Sequence, residues 1–476
     1  MKAMKKSLMM RGMVLLHYGI TVLLFVSCWW LFYRHIAAGA VFGAVNISVY
    51  AFYAVSLLML SRIYSAYRVG LLHVGDLFYG QVLSNLISLG LTYLLACALA
   101  RRLINPLAGF GCAAVQALFS AGWTISANRL YFSLHKPKRT VVIYRDESDL
   151  RKLEEIRFFA ERWSVERTVQ WDEENVHDLP YKKETPGGRS FEAIQKLMRI
   201  MEDYEAVFVS GVSATLRNGI VKYCVEKNKA CYFVPHTGDV IISGAEHIRS
   251  FSVPICRARR SRPAPEYLMV KRAMDILLSL VAIIVASPFM ALTALAIWGY
   301  DRGPVLYKQV RLTKDGKKFR ILKFRSMRQD AEKDGVARLA SEHDDRITPI
   351  GKLIRAIRFD ELPQLFNILK GDMSIVGPRP ERPEIAEQYR QELPAFDLRL
   401  QVKAGLTGYA QIYGRYNTEP QDKLKMDLMY INHASLAEDI KLIFATVRIL
   451  FMRESTSGVA DGQTTASGSE KAEKSA

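Results

Sequence analysis

The sequence lacks the patterns by which zinc proteins, disulfide-rich proteins and nucleic-acid-binding proteins are recognised. Its six cysteines form no CxxC pair and three lie in apolar runs, which predicts reduced, buried thiols. Its nine histidines show no HxxxH or HExxH spacing, so a zinc site is not predicted. The basic residues come with no zinc-finger spacing and no RNP-like aromatic stretch, so we expect no nucleic-acid partner.

What the chain does have is an unusual combination of charge and hydrophobicity. Half of its 476 residues are hydrophobic, yet its formal net charge is +18. One soluble globule rarely combines the two, whereas a membrane protein with basic cytoplasmic faces does. We therefore expect a membrane protein that is long enough for two or three domains.

Four apolar stretches open the chain, and each is near the roughly 20 residues that a helix needs to cross a bilayer. They cover residues 12–33, 38–60, 77–100 and 105–128. The basic segment ahead of the first stretch resembles a signal peptide, but the apolar core is too long and three more spans follow. Lys and Arg crowd the amino terminus, "RIYSAYR" and "HKPKR". The positive-inside rule then predicts a four-helix transmembrane bundle over residues 1–133, with both ends in the cytoplasm.

Residues 134–258 change to alternating strand and helix patterns, which predict a Rossmann-like α/β cytoplasmic domain. The predicted strands are "RTVVIYR", "VERTVQW", "EAVFVSG" and "ACYFVP". The turn after the first strand, "YRDESD", has none of the glycines that let a backbone approach a dinucleotide. A structural or regulatory role is favoured, and cofactor binding is the alternative.

A long apolar segment follows the predicted linker "ARRSRPAPE". Ser287 and Pro288 lie at its centre, where proline removes a backbone donor and predicts a break. Basic residues flank it on both sides, which favours both ends on the cytoplasmic face. We expect a re-entrant helix–break–helix that dips into one leaflet. A fifth transmembrane helix with a tolerated proline is the alternative.

Two adjacent acids, Asp360 and Glu361, precede the helical pattern "LPQLFNILK" and lie close to Arg355 and Arg358. An ordinary acidic helix entry would account for the acids alone. An aspartate nucleophile beside a metal-binding carboxylate is the chemical interpretation, because such a pair can divide a phosphoryl transfer into two steps. The arginines would then hold the negative charge of the substrates.

Three stretches in order carry a specific resemblance: "YKQVRLTKDGKKFRILKFRSMRQDA", "RFDELPQLFNILKGDMSIVGPRP" and "KAGLTGYAQIYGR". Over about residues 268–452 the chain resembles the bacterial sugar transferase family, the monotopic phosphoglycosyl transferases. Its amino-terminal arrangement is similar to that of the large members, the polyprenyl-phosphate sugar phosphotransferases of exopolysaccharide and capsule synthesis. The resemblance implies transfer of a sugar 1-phosphate from a UDP-sugar to polyprenyl (undecaprenyl) phosphate, with release of UMP.

The resemblance also implies roles for individual residues. Asp360 would be the nucleophile, through a covalent phospho-sugar intermediate, and Glu361 a ligand of Mg²⁺. Arg355, Arg379 of "GPRP" and Arg415 would contact phosphate or nucleotide.

Three further residues are candidates for substrate or phosphate binding. Asp427 matches an acidic position of the family. Lys323 and Arg325 alternate with apolar residues on a predicted strand, where a solvated strand face is the equal alternative.

The complete prediction is a bacterial inner-membrane protein with its catalytic domain on the cytoplasmic face. An α+β monotopic catalytic domain, anchored by the re-entrant helix, would occupy residues 259–453, with a disordered tail at 454–476. The resemblance to the large members makes a homodimer plausible, although no sequence feature indicates one. A non-catalytic membrane scaffold of polysaccharide assembly is the alternative function.

Overall fold

The structure, a computed structural model, describes residues 2–33, 43–153, 162–171, 195, 197–248, 255–261, 263–328, 331, 346–414 and 418–450. Contacts divide the chain into two compact units, Met1–Val234 and Pro235–Ala476. Within the described residues, five helices are long and apolar enough to cross a membrane. They are Leu8–Tyr33, Ala44–Ile63, Val74–Ala100, Leu107–Leu134 and Pro265–Asp301.

Four of these helices open the first unit. Their bounds are α1 Lys2–Cys28, continued by a π-helical turn Trp29–Tyr33, α2 Ala44–Ile63, α3 Val74–Ala100 and α4 Leu107–Leu134. The apolar stretches thus form the predicted helices. Polar side chains also line their interior: Gln116 Nε2, for example, donates to the hydroxyl of Tyr53 at 2.9 Å. Such interhelical bonds fix helices that apolar contacts alone would leave free to slide in lipid.

The rest of the first unit is a parallel sheet. Its strands are β1 Lys138–Tyr144, β2 Trp163–Gln170, β3 Ala206–Ser210 and β4 Ala230–Phe233, in the spatial order β2-β1-β3-β4. All four predicted strands are present, and every pairing is parallel. The helices are α5 Glu147–Lys152 and α6 Ala214–Glu226. The central strands β1 and β3 are buried, which is why they read as continuous apolar runs.

The second unit begins with α7 Thr237–Ser243 and the hairpin β5 Glu246–Ile248 and β6 Ile255–Arg257. The apolar helix α8 Pro265–Asp301 leads to the antiparallel hairpin β7 Leu306–Leu312 and β8 Lys318–Phe324. The remaining elements are α9 Pro349–Ala356, α10 Gln364–Lys370, β9 Ser374–Val376, α11 Pro383–Glu392, β10 Gly405–Thr407, α12 Tyr409–Tyr413, α13 Pro420–Asn432 and α14 Leu436–Leu450. Short 3₁₀ turns cover Phe359–Glu361 and Pro394–Gln401.

Helix α8 runs for 37 residues without interruption, through Ser287 and Pro288. No residue at the predicted break leaves the helical conformation, and the re-entrant course of this segment stays a prediction. Both residues are exposed, and the Ser287 hydroxyl donates to the carbonyl of Ile284 at 2.8 Å. Proline removes one donor, and an apolar helix tolerates this because the rest of its hydrogen-bond ladder persists.

The second unit packs against α8 along the length of that helix. Near its start, Arg272 donates to the carbonyls of Ile368 and Leu369, each at 2.6 Å. In its middle, Ala282 and Ile283 pack on the core of β8 and α10. At its end, Asp301 is paired with Arg325. One side of the helix therefore packs against the rest of the second unit, while its other side is exposed and apolar.

Candidate active site

The acid pair lies in a 3₁₀ turn, Phe359–Glu361, between α9 and α10. Arg358 begins this turn in the left-handed conformation, with φ 59° and ψ 20°. That backbone costs about 1–3 kcal/mol for a residue with a side chain, so its surroundings must hold it. Pro363 follows as the N-cap of α10. The two acids are therefore fixed between two helices rather than placed on a mobile loop.

Both carboxylates are largely buried and share one lysine. The side chains of Asp360 and Glu361 are 13% and 12% exposed. Lys323 Nζ lies 2.9 Å from Glu361 Oε1 and 3.8 Å from Asp360 Oδ2. Arg379 Nη2 reaches the same Glu361 oxygen at 3.2 Å. Residues from β8, the 3₁₀ turn and the loop after β9 thus meet at one point.

The two acids differ in their proton affinity. Burial raises the pKa of Asp360, and the neighbouring Glu361 charge adds to this, while Lys323, Arg355 and Arg358 oppose it. Burial would raise the pKa of Glu361 as well, but Lys323, Arg379 and Arg358 outweigh burial and hold it well below its usual range. When the surroundings of two neighbouring carboxylates shift their pKa values in opposite directions, the two groups are suited to different chemical roles. Glu361 stays ionised, and Asp360 is the acid whose charge is least stabilised.

Two arginines act electrostatically on the acid pair. Arg355 lies in the last turn of α9, and its charge acts on Asp360. Burial lowers the pKa of Arg358, and the acids of the pair oppose this shift. Both side chains therefore contribute positive charge at the acid pair.

Lys323 and Arg325 separate in the structure. Lys323 points to the acid pair, whereas Arg325 is 8% exposed and bonds to Asp301 at the end of α8. Neither side chain lies on a solvated strand face, so that alternative is wrong. Arg325 Nη1 is buried and has no hydrogen-bond partner in the part of the chain that the structure describes. The structure brings Lys323 to the candidate site and ties Arg325 to α8.

Asp427 lies in α13 and is only 1% exposed. Its Oδ2 accepts from Arg399 Nε at 2.8 Å and lies 2.7 Å from Arg399 Nη2 in an ion pair. Asp427 is thus placed behind Arg379 rather than beside the two acids. Arg399 was not predicted from the sequence, because "LRLQV" carries no motif and its partner lies 28 positions away.

The comparison with known proteins begins with a family model. The bacterial sugar transferase model matches residues 266–453. A UDP-glucose:undecaprenyl-phosphate glucose-1-phosphate transferase of Caulobacter vibrioides is 39% identical over 182 residues, covering 37% of this chain and 68% of that protein. The chain belongs to the bacterial sugar transferase family.

Two other members illustrate the range of sugars. A UDP-N-acetylgalactosamine-undecaprenyl-phosphate N-acetylgalactosaminephosphotransferase of Aeromonas hydrophila is 44% identical over 191 residues, covering 40% of this chain and 45% of its own. A UDP-glucose:undecaprenyl-phosphate glucose-1-phosphate transferase of Escherichia coli is 34% identical over 281 residues, covering 56% and 60%. The chain thus spans about half the length of these two relatives. With its long apolar helices, this member of the family is a membrane protein.

The carboxylates fit the Mg²⁺ that the resemblance to the family implies. Mg²⁺ prefers oxygen ligands and is commonly held by one or two carboxylates together with substrate phosphates. Asp360 and Glu361 supply such oxygens, although Lys323 and Arg379 already bond to Glu361 Oε1. Among the described residues, no group of three His, Cys, Asp or Glu could hold a metal. A metal here would therefore depend on the phosphates of the substrate.

One predicted site residue, Arg415, lies outside the described residues. Helix α14 contributes Leu442 to the core of the second unit.

Proposed function

We propose that the protein transfers a sugar 1-phosphate from a UDP-sugar to polyprenyl phosphate. The observation that carries this proposal is the buried acid pair, in which Lys323 and Arg379 hold Glu361 ionised beside Asp360. The three relatives described above are named as sugar phosphotransferases acting on undecaprenyl phosphate, which supports the same reaction class.

Asp360 is the nucleophile in this proposal. Its carboxylate oxygen attacks the phosphorus that carries the sugar, and the bond from that phosphorus to the bridging oxygen of UMP breaks. UMP leaves with that oxygen, and an aspartyl phospho-sugar remains on the protein. An oxygen of polyprenyl phosphate then attacks the same phosphorus, and the bond to Asp360 breaks. Because the intermediate divides the transfer into two steps, polyprenyl phosphate does not react directly with the diphosphate of the UDP-sugar.

The cations oppose the repulsion that remains. Arg379 and Arg355 would bind phosphate oxygens, since a guanidinium offers paired donors. Lys323 neutralises the acid pair, which allows an anionic substrate to approach two carboxylates. The raised pKa of Asp360 fits this role, because a poorly stabilised carboxylate gains more by bonding to phosphorus.

Glu361 would hold Mg²⁺ together with the substrate phosphates. When bound, Mg²⁺ neutralises the diphosphate and supports the leaving group. Displacement of Lys323 or Arg379 from one oxygen of Glu361 would accompany its binding.

A monotopic anchor by α8 is part of the proposal, with both helix ends on the cytoplasmic face of the bacterial inner membrane. A 37-residue helix is about 55 Å long, enough to cross a bilayer. Yet the second unit contacts this helix near both ends and at its middle. A helix crossing the bilayer would bring that packed body to membrane depth, where its polar surface could not be solvated.

The first unit fits the same orientation. Its four apolar helices would span the membrane with both ends in the cytoplasm, and the parallel sheet would form a Rossmann-like domain there. The product would be the first lipid-linked sugar of an exopolysaccharide or capsule repeat unit.

The test is UMP release by the full chain in nanodiscs with Mg²⁺, undecaprenyl phosphate and a panel of UDP-sugars. We expect release with at least one sugar, loss of release in Asp360→Asn, and retention in Glu384→Gln, which removes an exposed acid of α11. Without lipid, the wild type should release about one UMP per protein and retain the labelled sugar phosphate. Full turnover by Asp360→Asn would exclude Asp360 as the nucleophile. If no UDP-sugar of the panel gives UMP release, the result would instead favour a different nucleotide sugar or the scaffold function.

A further inference from the structure

Behind the acid pair lies a buried network of charges that the proposed reaction does not use directly. Arg399 is 2% exposed and Asp427 is 1% exposed. Arg399 bonds to Asp427 through two nitrogens, at 2.8 and 2.7 Å. Its Nη1 donates to Glu381 Oε1 at 3.3 Å, and its Nη2 donates to the carbonyl of Arg379 at 3.0 Å. The network therefore ends on the backbone of the arginine that reaches Glu361.

The loop from Gly377 to Glu381 is fixed at almost every residue. The amide of Gly377 donates to the carbonyl of Thr407 at 2.8 Å, and the carbonyl of Pro378 accepts from Gly405 at 2.9 Å. Gly377 must be glycine, because a Cβ there would lie 2.3 Å from the carbonyl oxygen of Lys403.

The second half of the loop is held by β7. Arg311 Nη1 donates to the carbonyl of Pro380 at 3.1 Å, and the amide of Leu312 donates to the carbonyl of Glu381 at 3.0 Å. Between these two anchored halves, the carbonyl of Arg379 accepts from Arg399 Nη2. Arg399 therefore holds the centre of the loop.

Asp427 cannot itself contact a substrate. It is buried, and the charges that face it are Arg399, Glu381 and Lys423. A buried ion pair adds little to the free energy of unfolding, because both charges lose their hydration on folding. Its geometry is well suited to another task, which is to hold a guanidinium in one orientation.

We propose that Arg399 and Asp427 are positioning residues of the nucleotide-sugar site, which act by fixing the backbone of Arg379 so that its guanidinium meets the diphosphate. This inference rests on the proposed function. Asp427 keeps Arg399 oriented, Arg399 holds the Arg379 carbonyl, and the Arg379 side chain remains over Glu361.

The first test is the kinetics of Asp427→Asn in the full chain. We expect the KM for the UDP-sugar to rise by about tenfold, the effect of one weakened charge-assisted hydrogen bond. The KM for polyprenyl phosphate should stay within about twofold, since the Arg379 loop is assigned to the nucleotide sugar. A merely structural role would lower kcat through the amount of folded protein and leave both KM values unchanged. Asp427→Glu, which keeps the charge, should recover part of the UDP-sugar affinity.

A matched control is available in the same unit. Arg390 and Asp397 also form an Arg–Asp pair, at 2.9 Å, but both side chains are partly exposed. Asp397→Asn should leave both KM values unchanged, because an exposed pair contributes little.

The decisive test combines Asp427→Asn with Arg379→Ala. If Asp427 acts through Arg379, its substitution adds nothing to the KM once the Arg379 side chain is gone. Binding of the UDP-sugar to each variant, measured by calorimetry in an Asp360→Asn background, gives the same comparison without turnover. Multiplied effects in the double variant, or an unchanged UDP-sugar KM in a folded Asp427→Asn, would overturn the positioning role. An inactive wild type would instead count against the proposed function.

If Asp427→Asn does not fold, Arg399→Lys takes its place in the same cycle.

Discussion

Lys323 donates to Glu361 at 2.9 Å across 38 positions of sequence, and so joins strand β8 to the turn that carries the acid pair. The same ammonium lies 3.8 Å from Asp360. One ammonium group thus interacts with both carboxylates.

Replacement of that lysine should abolish most activity. Burial raises the pKa of both Asp360 and Glu361, and Lys323 is the charge that opposes this most. In Lys323→Met that charge is gone, so both acids become harder to ionise. We expect kcat to fall by roughly a hundredfold, comparable to loss of one preorganised electrostatic contact. Lys318→Met on the same strand is the matched control, since Lys318 is exposed and lies at the far end of β8. Equal activity of the two variants would show that Lys323 has no catalytic importance.

The pH dependence of kcat should follow Asp360. Its pKa is raised above the usual value, so the nucleophile becomes protonated at a higher pH than an ordinary aspartate. We expect kcat to fall as the pH decreases through this raised value, while Glu361, with its lowered pKa, remains ionised. Turnover at saturating substrate, measured from pH 8 downward, checks this. A kcat that stays constant down to the ordinary range of aspartate would contradict it.

The KM for the UDP-sugar should have its own pH dependence. Burial raises the pKa of Asp427 to about 6, against the opposing effect of Arg399, while Glu381 adds to the rise and Lys423 reduces it. Below about pH 6 the protonated Asp427 no longer orients Arg399, so the KM should rise as the pH falls. Asp427→Asn, which carries no charge at any pH, should lack this step. A step of the same size in Asp427→Asn would assign it to another group.

The orientation of α8 can be tested by labelling single cysteines. Glu266→Cys places a thiol at an exposed position in the first turn of α8, and Lys308→Cys places one at an exposed position beyond its carboxyl end, in a chain with Cys256→Ser. In intact spheroplasts an impermeant maleimide should label neither thiol, and after permeabilisation it should label both. Labelling of one thiol alone before permeabilisation would mean that α8 crosses the bilayer.

Local patterns predicted those parts of the molecule whose residues are neighbours in sequence. The four strands of the first unit read correctly because buried parallel strands are continuous apolar runs, as in "AVFVS" of β3. The acid pair was found because both carboxylates and Pro363 occur within four positions. The long apolar helices follow from length and composition alone.

Features decided by packing could not be predicted. The uninterrupted course of α8 through Pro288 depends on the rest of the helix rather than on the local proline rule. Arg399 has an unremarkable sequence context, and its importance follows from three elements that meet at its guanidinium. For the same reason Asp427 was assigned to substrate binding, although its carboxylate is enclosed by the network.

Helix α8 supplies apolar side chains to two cores of the second unit. Ala282 and Ile283 cover Ile321 and Ile368, while Met290 and Ala294 lie against Phe324. A shortened chain that starts after this helix would therefore lose part of its interior, not merely its attachment. We therefore expect a chain truncated at residue 302 to fold poorly rather than to give a soluble enzyme. A detergent suitable for purification has to preserve the packing of α8 against the second unit as well as cover its lipid-facing side.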